Sequence, residues 1–373
     1  MRILFTGGGT GGHFFPVIAI ARELKRIAEE ERILDLELFY MGPDDFGEEI
    51  LKEEMVIPIK VPAGKIRTYA SLANLLDVFK TGLGIIYAIW KMFFIMPDVI
   101  FSKGGYGALP AVAASIFWRI PLIIHDSDAV PGRVNIFSAR FAARIGIAFA
   151  NAEDYFPKEK TALVGIPIRK RILGGIREEA KESLNIFSSL PVAAFIGASQ
   201  GAQKINEAVL AVLKELTDEF EIVHQTGAKN YEEVKGEAGV IFENGGHKER
   251  YHPFGFFREA ELRDFYHAAD LIVSRAGASS IYEIAAWGKP SILIPLRIAA
   301  QNHQHKNAYE YASYGACVVI EEANLTPHIL LAEIKKLLGD PEKMKKMGEA
   351  AQRFARIDAA EVIAREVLKM GLH

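Results

Sequence analysis

The sequence predicts an α/β chain built as two Rossmann-like halves, and three observations predict it. Apolar strand-like runs alternate with stretches of helical periodicity along the chain, the pattern of parallel sheets with helices on both faces. The chain opens on a strand, a glycine loop and a helix, and the same order begins again at Val192. Its 373 residues, half of them hydrophobic, suffice for two buried cores.

The first element is the apolar run Ile3-Leu4-Phe5. The loop Gly7-Gly8-Gly9-Thr10-Gly11-Gly12-His13 follows, and then Val17 to Ile27, whose apolar residues fall at helical spacing. That context is a strand, a tight turn and a helix start. Glycines there leave the backbone free and let a ligand approach without meeting a Cβ. The helix N-terminus behind the loop presents unpaired N–H groups to an anion, most often a phosphate. Gly7-x-Gly9-x-x-Gly12 also satisfies the dinucleotide fingerprint of a dehydrogenase, which expects an acid at the end of the second strand. Here Leu36 to Met41 ends in Gly42-Pro43, and Asp44 comes late. His13 lies outside that fingerprint. An imidazole with an ordinary pKa of about 6.5 can take a proton from a hydroxyl at this edge, or it serves only the helix start.

The strands expected in the first half are Arg2 to Thr6, Leu36 to Tyr40, Val99 to Ser102, Leu122 to His125, Ile145 to Ala148 and Thr161 to Val164. Between them Gly82 to Met96 is the most apolar segment, but it is too short to span a bilayer, carries Lys91 and runs into Pro97. It reads as a core helix or, with its aromatic residues and with Lys65, Arg67 and Lys80 before it, as a helix lying on a membrane surface. Ser102-Lys103-Gly104-Gly105-Tyr106-Gly107 is a second glycine turn at a strand end, suited to a pyrophosphate substrate or simply to a sharp turn. His125-Asp126-Ser127-Asp128 through Asn135 brings a His and acids to another strand end, but in none of the usual metal-ligand spacings. It reads as loop architecture, with Asn135 reaching the cleft. The turn Gly165-Ile166-Pro167 leads into the charged segment Arg169 to Ser189, the best candidate for an interdomain linker.

The second half opens with the strand Val192 to Ile196, the small-residue loop Gly197 to Ala202, and Asn206 to Leu216 at helical spacing. Two such halves imply Rossmann-like domains facing each other across a cleft, with ligands at the carboxyl ends of the strands. Further strands are expected at Glu221 to Gln225, Val240 to Phe242, His252 to Phe254, Leu271 to Ser274, Ser291 to Ile294 and Ala316 to Ile320, and the tail from Pro341 reads as an amphipathic helix pair. Ser199 is placed to offer a hydroxyl and N–H groups to a phosphate. Ser280-x-x-Glu283 reads as a capping box or, alternatively, leaves Glu283 to accept two ribose hydroxyls. The seven polar residues Gln301 to Asn307 form either a hydrogen-bonding wall for a sugar or a solvated loop.

A formal net charge of −3 gives no bias toward nucleic acid, so no nucleic-acid partner is expected. The one cysteine, Cys317, excludes an intramolecular disulfide and fits a reducing cytoplasmic compartment. The chain starts on a strand with no charged leader, which argues against secretion.

The order and spacing of these motifs resemble the MurG family of bacterial glycosyltransferases, which transfer N-acetylglucosamine from UDP-GlcNAc to the lipid-linked muramoyl-pentapeptide of peptidoglycan synthesis. The resemblance covers nearly the whole chain: Gly7 to His13, Gly104-Gly105-Tyr106, Pro131-Gly132 with Asn135, Ser199 to Ala202, Arg275 to Ala278 with Glu283-Ile284, and Gln304 before Asn307-Ala308. It implies a GT-B fold with no metal and no cofactor. It also implies an acceptor-binding domain at 1–166 with a membrane-contacting surface, a UDP-GlcNAc-binding domain at 167–350, and a helix at 351–373 returning to the first. By the same resemblance, His13 is the general base. Thr10, Gly11, Gly12, Asn135, Arg169, Ser199, Phe257, Ala278, Ser279, Ser280, Ile281, Tyr282, Glu283 and Gln304 line the donor site, with Glu283 on the ribose, Ser199 and Arg169 at the diphosphate, Gln304 on the sugar and Phe257 near the uracil. Gly104, Gly105, Tyr106, His125 and Asp126 are expected at the acceptor, undecaprenyl-diphospho-muramoyl-pentapeptide, with the protein on the cytoplasmic face of the cell membrane. The chain departs from the family where His125-Asp126-Ser127-Asp128 replaces the usual His-Glu-Gln-Asn and Gly165-Ile166-Pro167 the usual Gly-Asn-Pro. Another UDP-sugar enzyme of this fold, such as a glycolipid synthase or a UDP-GlcNAc 2-epimerase, is the nearest alternative. A dehydrogenase or a catalytically silent binding protein is more distant.

Overall fold

The first strand, β1 (Arg2–Thr6), is buried on both faces beyond its first residue, as a central strand of a parallel sheet between helix layers must be. The computed structural model describes residues 1–8, 11–43, 47–65, 72–197, 202–297 and 302–372. It divides into Met1–Arg169 with Arg356–His373, and Lys170–Ala355. In the first unit β1 is followed by α1 (Gly11–Glu30), β2 (Glu37–Gly42), α2 (Glu48–Glu53), β3 (Val56–Lys60), α3 (Leu72–Ile95), β4 (Val99–Ser102), α4 (Leu109–Trp118), β5 (Leu122–Asp126), α5 (Arg133–Ser138), β6 (Arg144–Ile147) and β7 (Thr161–Leu163). Among the described residues the seven strands run in the order β3-β2-β1-β4-β5-β6-β7, all parallel. The edge strand β3 was not expected. Pro58 interrupts its pattern, and an edge is where a sheet tolerates proline.

The second unit holds α6 (Arg177–Ser183), β8 (Val192–Ile196), α7 (Gln203–Ala211), α8 (Leu213–Glu219), β9 (Glu221–Gln225), α9 (Tyr231–Glu243), β10 (Tyr251–Phe254), α10 (Glu259–Ala268), β11 (Leu271–Ser274), α11 (Ala278–Ala286), β12 (Ser291–Leu293), α12 (His303–Ser313), β13 (Cys317–Val319), α13 (Pro327–Leu338) and α14 (Pro341–Phe354). Its parallel sheet runs β10-β9-β8-β11-β12-β13. In each sheet the order reverses beside the first strand of its half, so the loops after β1 and β4, and after β8 and β11, emerge at the switch points where such folds bind ligands.

Two expectations are corrected here. Val240 to Phe242 is the last turn of α9, because Val234, Ala238, Ile241 and Phe242 lie on one helical face against the core. The charged segment after Arg169 is folded into the second unit. Its helix α6 packs on α10, and Arg177 bonds Asp270 Oδ1 at 2.6 Å.

The final helix, α15 (Ala359–Gly371), belongs to the first unit. Ile363, Ala364, Val367 and Leu368 complete the core formed by Ile3, Phe5 and Val17. Arg365 with Glu31 and Arg144 with Glu366 close its edges at 3.0 and 2.9 Å.

Helix α3 is also longer than the sequence reading allowed. It runs 24 residues, and Leu75–Ile95 is long and apolar enough to cross a membrane by length and composition. In the fold it packs along α4, burying Thr81, Gly84, Ala88 and Met92 at helical spacing. A Cβ on Gly84 would stand 1.8 Å from the Pro62 carbonyl oxygen, so glycine permits this close approach. The opposite stripe, Leu75, Phe79, Leu83, Ile86, Trp90 and Phe94, is exposed.

Candidate active site

At the first switch point two glycine turns meet backbone to backbone. A Cβ on Gly8 would lie 3.2 Å from Gly105 Cα, and one on Gly105 would lie 3.1 Å from Gly8 Cα and 3.5 Å from His13 Nε2. Gly104 and Gly105 both have positive φ, +81° and +79°, a region that favours glycine. A Cβ on Gly107 would reach the Gly7 carbonyl oxygen at 2.8 Å. Helix α1 begins at Gly11, earlier than its apolar spacing implied. Gly11 and Gly12 therefore supply its first N–H groups, and half-buried His13 stands in the first turn with its Nε2 toward Gly105. Tyr106 opens a short 3-10 turn beside them. Thr10 lies outside the described residues.

The loop after β5 is built as a hydrogen-bonded network around His125, Asp126 and Asn135. His125 is fully buried, its Nε2 bonded to the Gly165 carbonyl at 2.7 Å and its Nδ1 at 2.7 Å from Lys103 Nζ. Burial, then the neighbouring Lys103 charge, holds its pKa well below the usual imidazole value. Asp126 is buried and accepts from the Asp128 N–H (3.0 Å), the Gly132 N–H (3.1 Å) and Asn135 Nδ2 (2.8 Å). Burial, and next Asp128, push its pKa up to about 6. Asn135 also donates to the His125 carbonyl at 3.0 Å. His125, Asp126 and Asn135 are all buried, and Asn135 braces the loop through these two bonds. Its buried Oδ1 has no hydrogen-bond partner among the described residues and faces Gly104, where a Cβ would lie 2.5 Å away. Arg169 is 6 % exposed, with its guanidinium 4.1 Å from the centre of the Phe15 ring in the first unit.

In the second unit Ser199 lies outside the described residues. Helix α11 starts at Ala278 with Gly277 extended before it, so the N–H groups of Ala278, Ser279 and Ser280 are those a helix leaves without intrahelical partners. Ser280 is therefore already in the first turn, and the capping-box reading falls. Glu283 lies farther along α11, where the Tyr266 hydroxyl donates to its Oε2 at 2.9 Å. The side chains of Ala278, Ile281 and Tyr282 are buried in the core, which leaves Ser279, Ser280 and Glu283 as the side chains this segment can present. Arg275 anchors the loop below. It donates to the Ile294 carbonyl at 3.2 Å and to Glu322 Oε1 at 2.7 Å, and it pulls the Glu322 carboxyl below its usual range against the burial that raises it.

Within the polar stretch Gln301 to Asn307, residues 303–307 open α12, with Asn302 left-handed before it (φ 57°). Gln304 Oε1 accepts from the Leu296 N–H at 3.0 Å, which ties the segment after β12 to that helix. Phe257 is 4 % exposed and lies between Phe254 and Phe265, at 5.0 and 5.1 Å between ring centres. Its ring is thus packed within an aromatic cluster. The sequence assigned no role to the side chains of Lys103 and Glu322. Only the fold brings each to its partners.

Residues 3–147 match the glycosyltransferase family 28 N-terminal domain, and residues 192–363 match its C-terminal domain. A UDP-N-acetylglucosamine–N-acetylmuramyl-(pentapeptide) pyrophosphoryl-undecaprenol N-acetylglucosamine transferase of Thermodesulfovibrio yellowstonii is 36 % identical over 97 % of each chain. The crystal structure of Acinetobacter baumannii MurG superposes with a TM-score of 0.75 at 24 % identity, covering 99 % of both chains. A UDP-GlcNAc 2-epimerase from Neisseria meningitidis bound to UDP-GlcNAc gives 0.70 at 13 % identity, covering 99 % of this chain and 100 % of that one. The chain shares its fold with both solved structures, whereas its sequence similarity to the Thermodesulfovibrio relative is far stronger than to the epimerase.

Proposed function

The chain belongs to glycosyltransferase family 28, and on that premise we propose that it moves N-acetylglucosamine from UDP-GlcNAc to the muramoyl 4-hydroxyl of undecaprenyl-diphospho-muramoyl-pentapeptide, inverting the anomeric centre. The observation that carries this reading is the pair of touching glycine turns with His13 Nε2 set over Gly105. The acceptor diphosphate binds the N–H groups of those turns and of the start of α1. The 4-hydroxyl oxygen forms the new bond to the anomeric carbon as the bond from that carbon to the UDP oxygen breaks, and the hydroxyl proton passes to His13. Charge grows on the departing UDP, where the N–H groups opening α11, with Ser279, Ser280 and Ser199, receive it. Glu283 holds the ribose and Gln304 the sugar, and no divalent cation takes part.

Purified protein given UDP-GlcNAc is expected to release UDP and form glycosylated acceptor only when the lipid-linked acceptor is added. Conversion of UDP-GlcNAc to its 2-epimer with no acceptor present would replace this reading with the epimerase.

In the same reading the exposed stripe of α3, with Phe117 of α4, lies on the cytoplasmic face of the membrane that carries the acceptor. Lys91 sits 5.2 Å from the Trp90 ring, and Lys65 and Lys80 are exposed nearby in the chain, a composition suited to an interface with anionic lipid. Replacing Trp90 and Phe94 together with Glu is expected to weaken binding to anionic vesicles by about tenfold or more in flotation assays. Turnover of a water-soluble acceptor should persist. Undiminished flotation would remove α3 from this role.

A further inference from the structure

We propose that Lys103 is a positioning residue for acceptor binding: its ammonium ties the glycine turn after β4 to the loop after β5, and so sets the backbone of Gly104 and Gly105 on which the acceptor rests. This inference deepens the function proposed above and rests on it. Lys103 is 1 % exposed, a placement costly for an ammonium unless its protons are bonded. Its backbone N–H donates to the Thr6 carbonyl at 2.8 Å and so extends the pairing of β1 with β4 by one residue. Its side chain then turns inward to His125 Nδ1, at 2.7 Å, and to Ser127 Oγ.

The direction of these bonds follows from the acceptor at the far end. The Gly165 carbonyl can only accept, so His125 carries its proton on Nε2, and Nδ1 accepts a hydrogen bond from the Lys103 ammonium. A Cβ on Gly146 would come within 3.0 Å of the His125 ring, so this glycine makes room for it. Lys103 and His125 together thereby join the β4 turn, the β5 loop and the turn after β7. The next two residues of the chain are the positive-φ glycines that touch Asn135, Gly8 and His13. A shift of Lys103 is carried directly into that surface.

The charges facing Lys103 are Asp126 at the end of β5 and Asp128 in the loop beyond it, beside neutral His125. Burial lowers the Lys103 pKa to about 8, against the two carboxylates that raise it. Near neutral pH the ammonium offsets those carboxylates. Above about pH 8 it discharges, and uncompensated negative charge is left beneath a turn that must hold a diphosphate.

The test uses the full-length enzyme with UDP-GlcNAc and undecaprenyl-diphospho-muramoyl-pentapeptide in detergent micelles, with kcat and both KM values measured across pH. For the unaltered enzyme, kcat/KM for the acceptor is expected to fall along a limb centred near pH 8. Lys103→Met is expected to raise the acceptor KM roughly tenfold, to leave the donor KM unchanged and to abolish that limb. Asp128→Asn keeps the lysine but removes one carboxylate that sustains its charge, so the limb should move to lower pH. This second variant decides the matter if Lys103→Met fails to fold. The inference is overturned if Lys103→Met keeps both the acceptor KM and the limb, or if Asp128→Asn leaves the limb in place. An unaltered enzyme that glycosylates no lipid acceptor overturns the functional reading, and this inference with it.

Discussion

Replacing His13 with alanine is expected to lower kcat for transfer by roughly 100-fold or more, with much smaller changes in either KM. The expectation follows from what the imidazole touches. His13 stands in the first turn of α1 with Nε2 toward Gly105, where two turns bring their backbones together, so a hydroxyl bound there meets a base rather than a wall of side chains. General-base catalysis of this kind contributes about 10²- to 10⁴-fold, and the nucleophile here is a sugar alcohol that loses its proton reluctantly. The half-buried position at a helix start makes the variant tolerable to the fold, which circular dichroism and thermal melting check directly. His13→Gln keeps hydrogen bonding but accepts no proton at neutral pH, and it should be nearly as impaired. An unchanged turnover in either variant would take His13 out of the chemistry and reduce it to a helix-start residue.

Glu283→Ala is expected to raise the KM for UDP-GlcNAc by about 10- to 100-fold, the range given by losing hydrogen bonds of about 1.5–3 kcal/mol to a charged group. A carboxylate that grips two vicinal hydroxyls must be held in one orientation, and the fully buried Tyr266 holds it by donating to Oε2 at 2.9 Å. Tyr266→Phe should therefore raise the same KM by a smaller factor, since the carboxylate remains but is less constrained. Glu283→Gln, which can accept one ribose hydroxyl but not two as a charged group, should fall between. Calorimetric titration with UDP separates this effect from turnover. Equal UDP affinity in Glu283→Ala and the unaltered protein would assign Glu283 to helix packing alone.

Much of the architecture was legible before any coordinates, and it is the part that depends on short-range chemistry. A strand buried on both faces needs a continuous apolar run, as in Val192–Ile196, and a turn that touches another backbone needs glycine, as at Gly104 and Gly105. The echo between the two halves, the final amphipathic helices and the place of His13 beside a glycine turn were all of this kind. The direction each side chain takes once several loops converge was not. His125, Asp126 and Asn135 all lie beside motifs that point toward a ligand. Yet they turn inward, because a buried loop must bond its own polar groups before it can bind anything else. Lys103 shows the converse. Nothing in Ser102-Lys103-Gly104 distinguishes it from a solvated lysine, and its partners at 125 and 127 become neighbours only because β4 and β5 pair side by side. Local periodicity and backbone freedom are written residue by residue along a chain, whereas the partner of a buried charge is chosen by which strands the sheet sets next to one another.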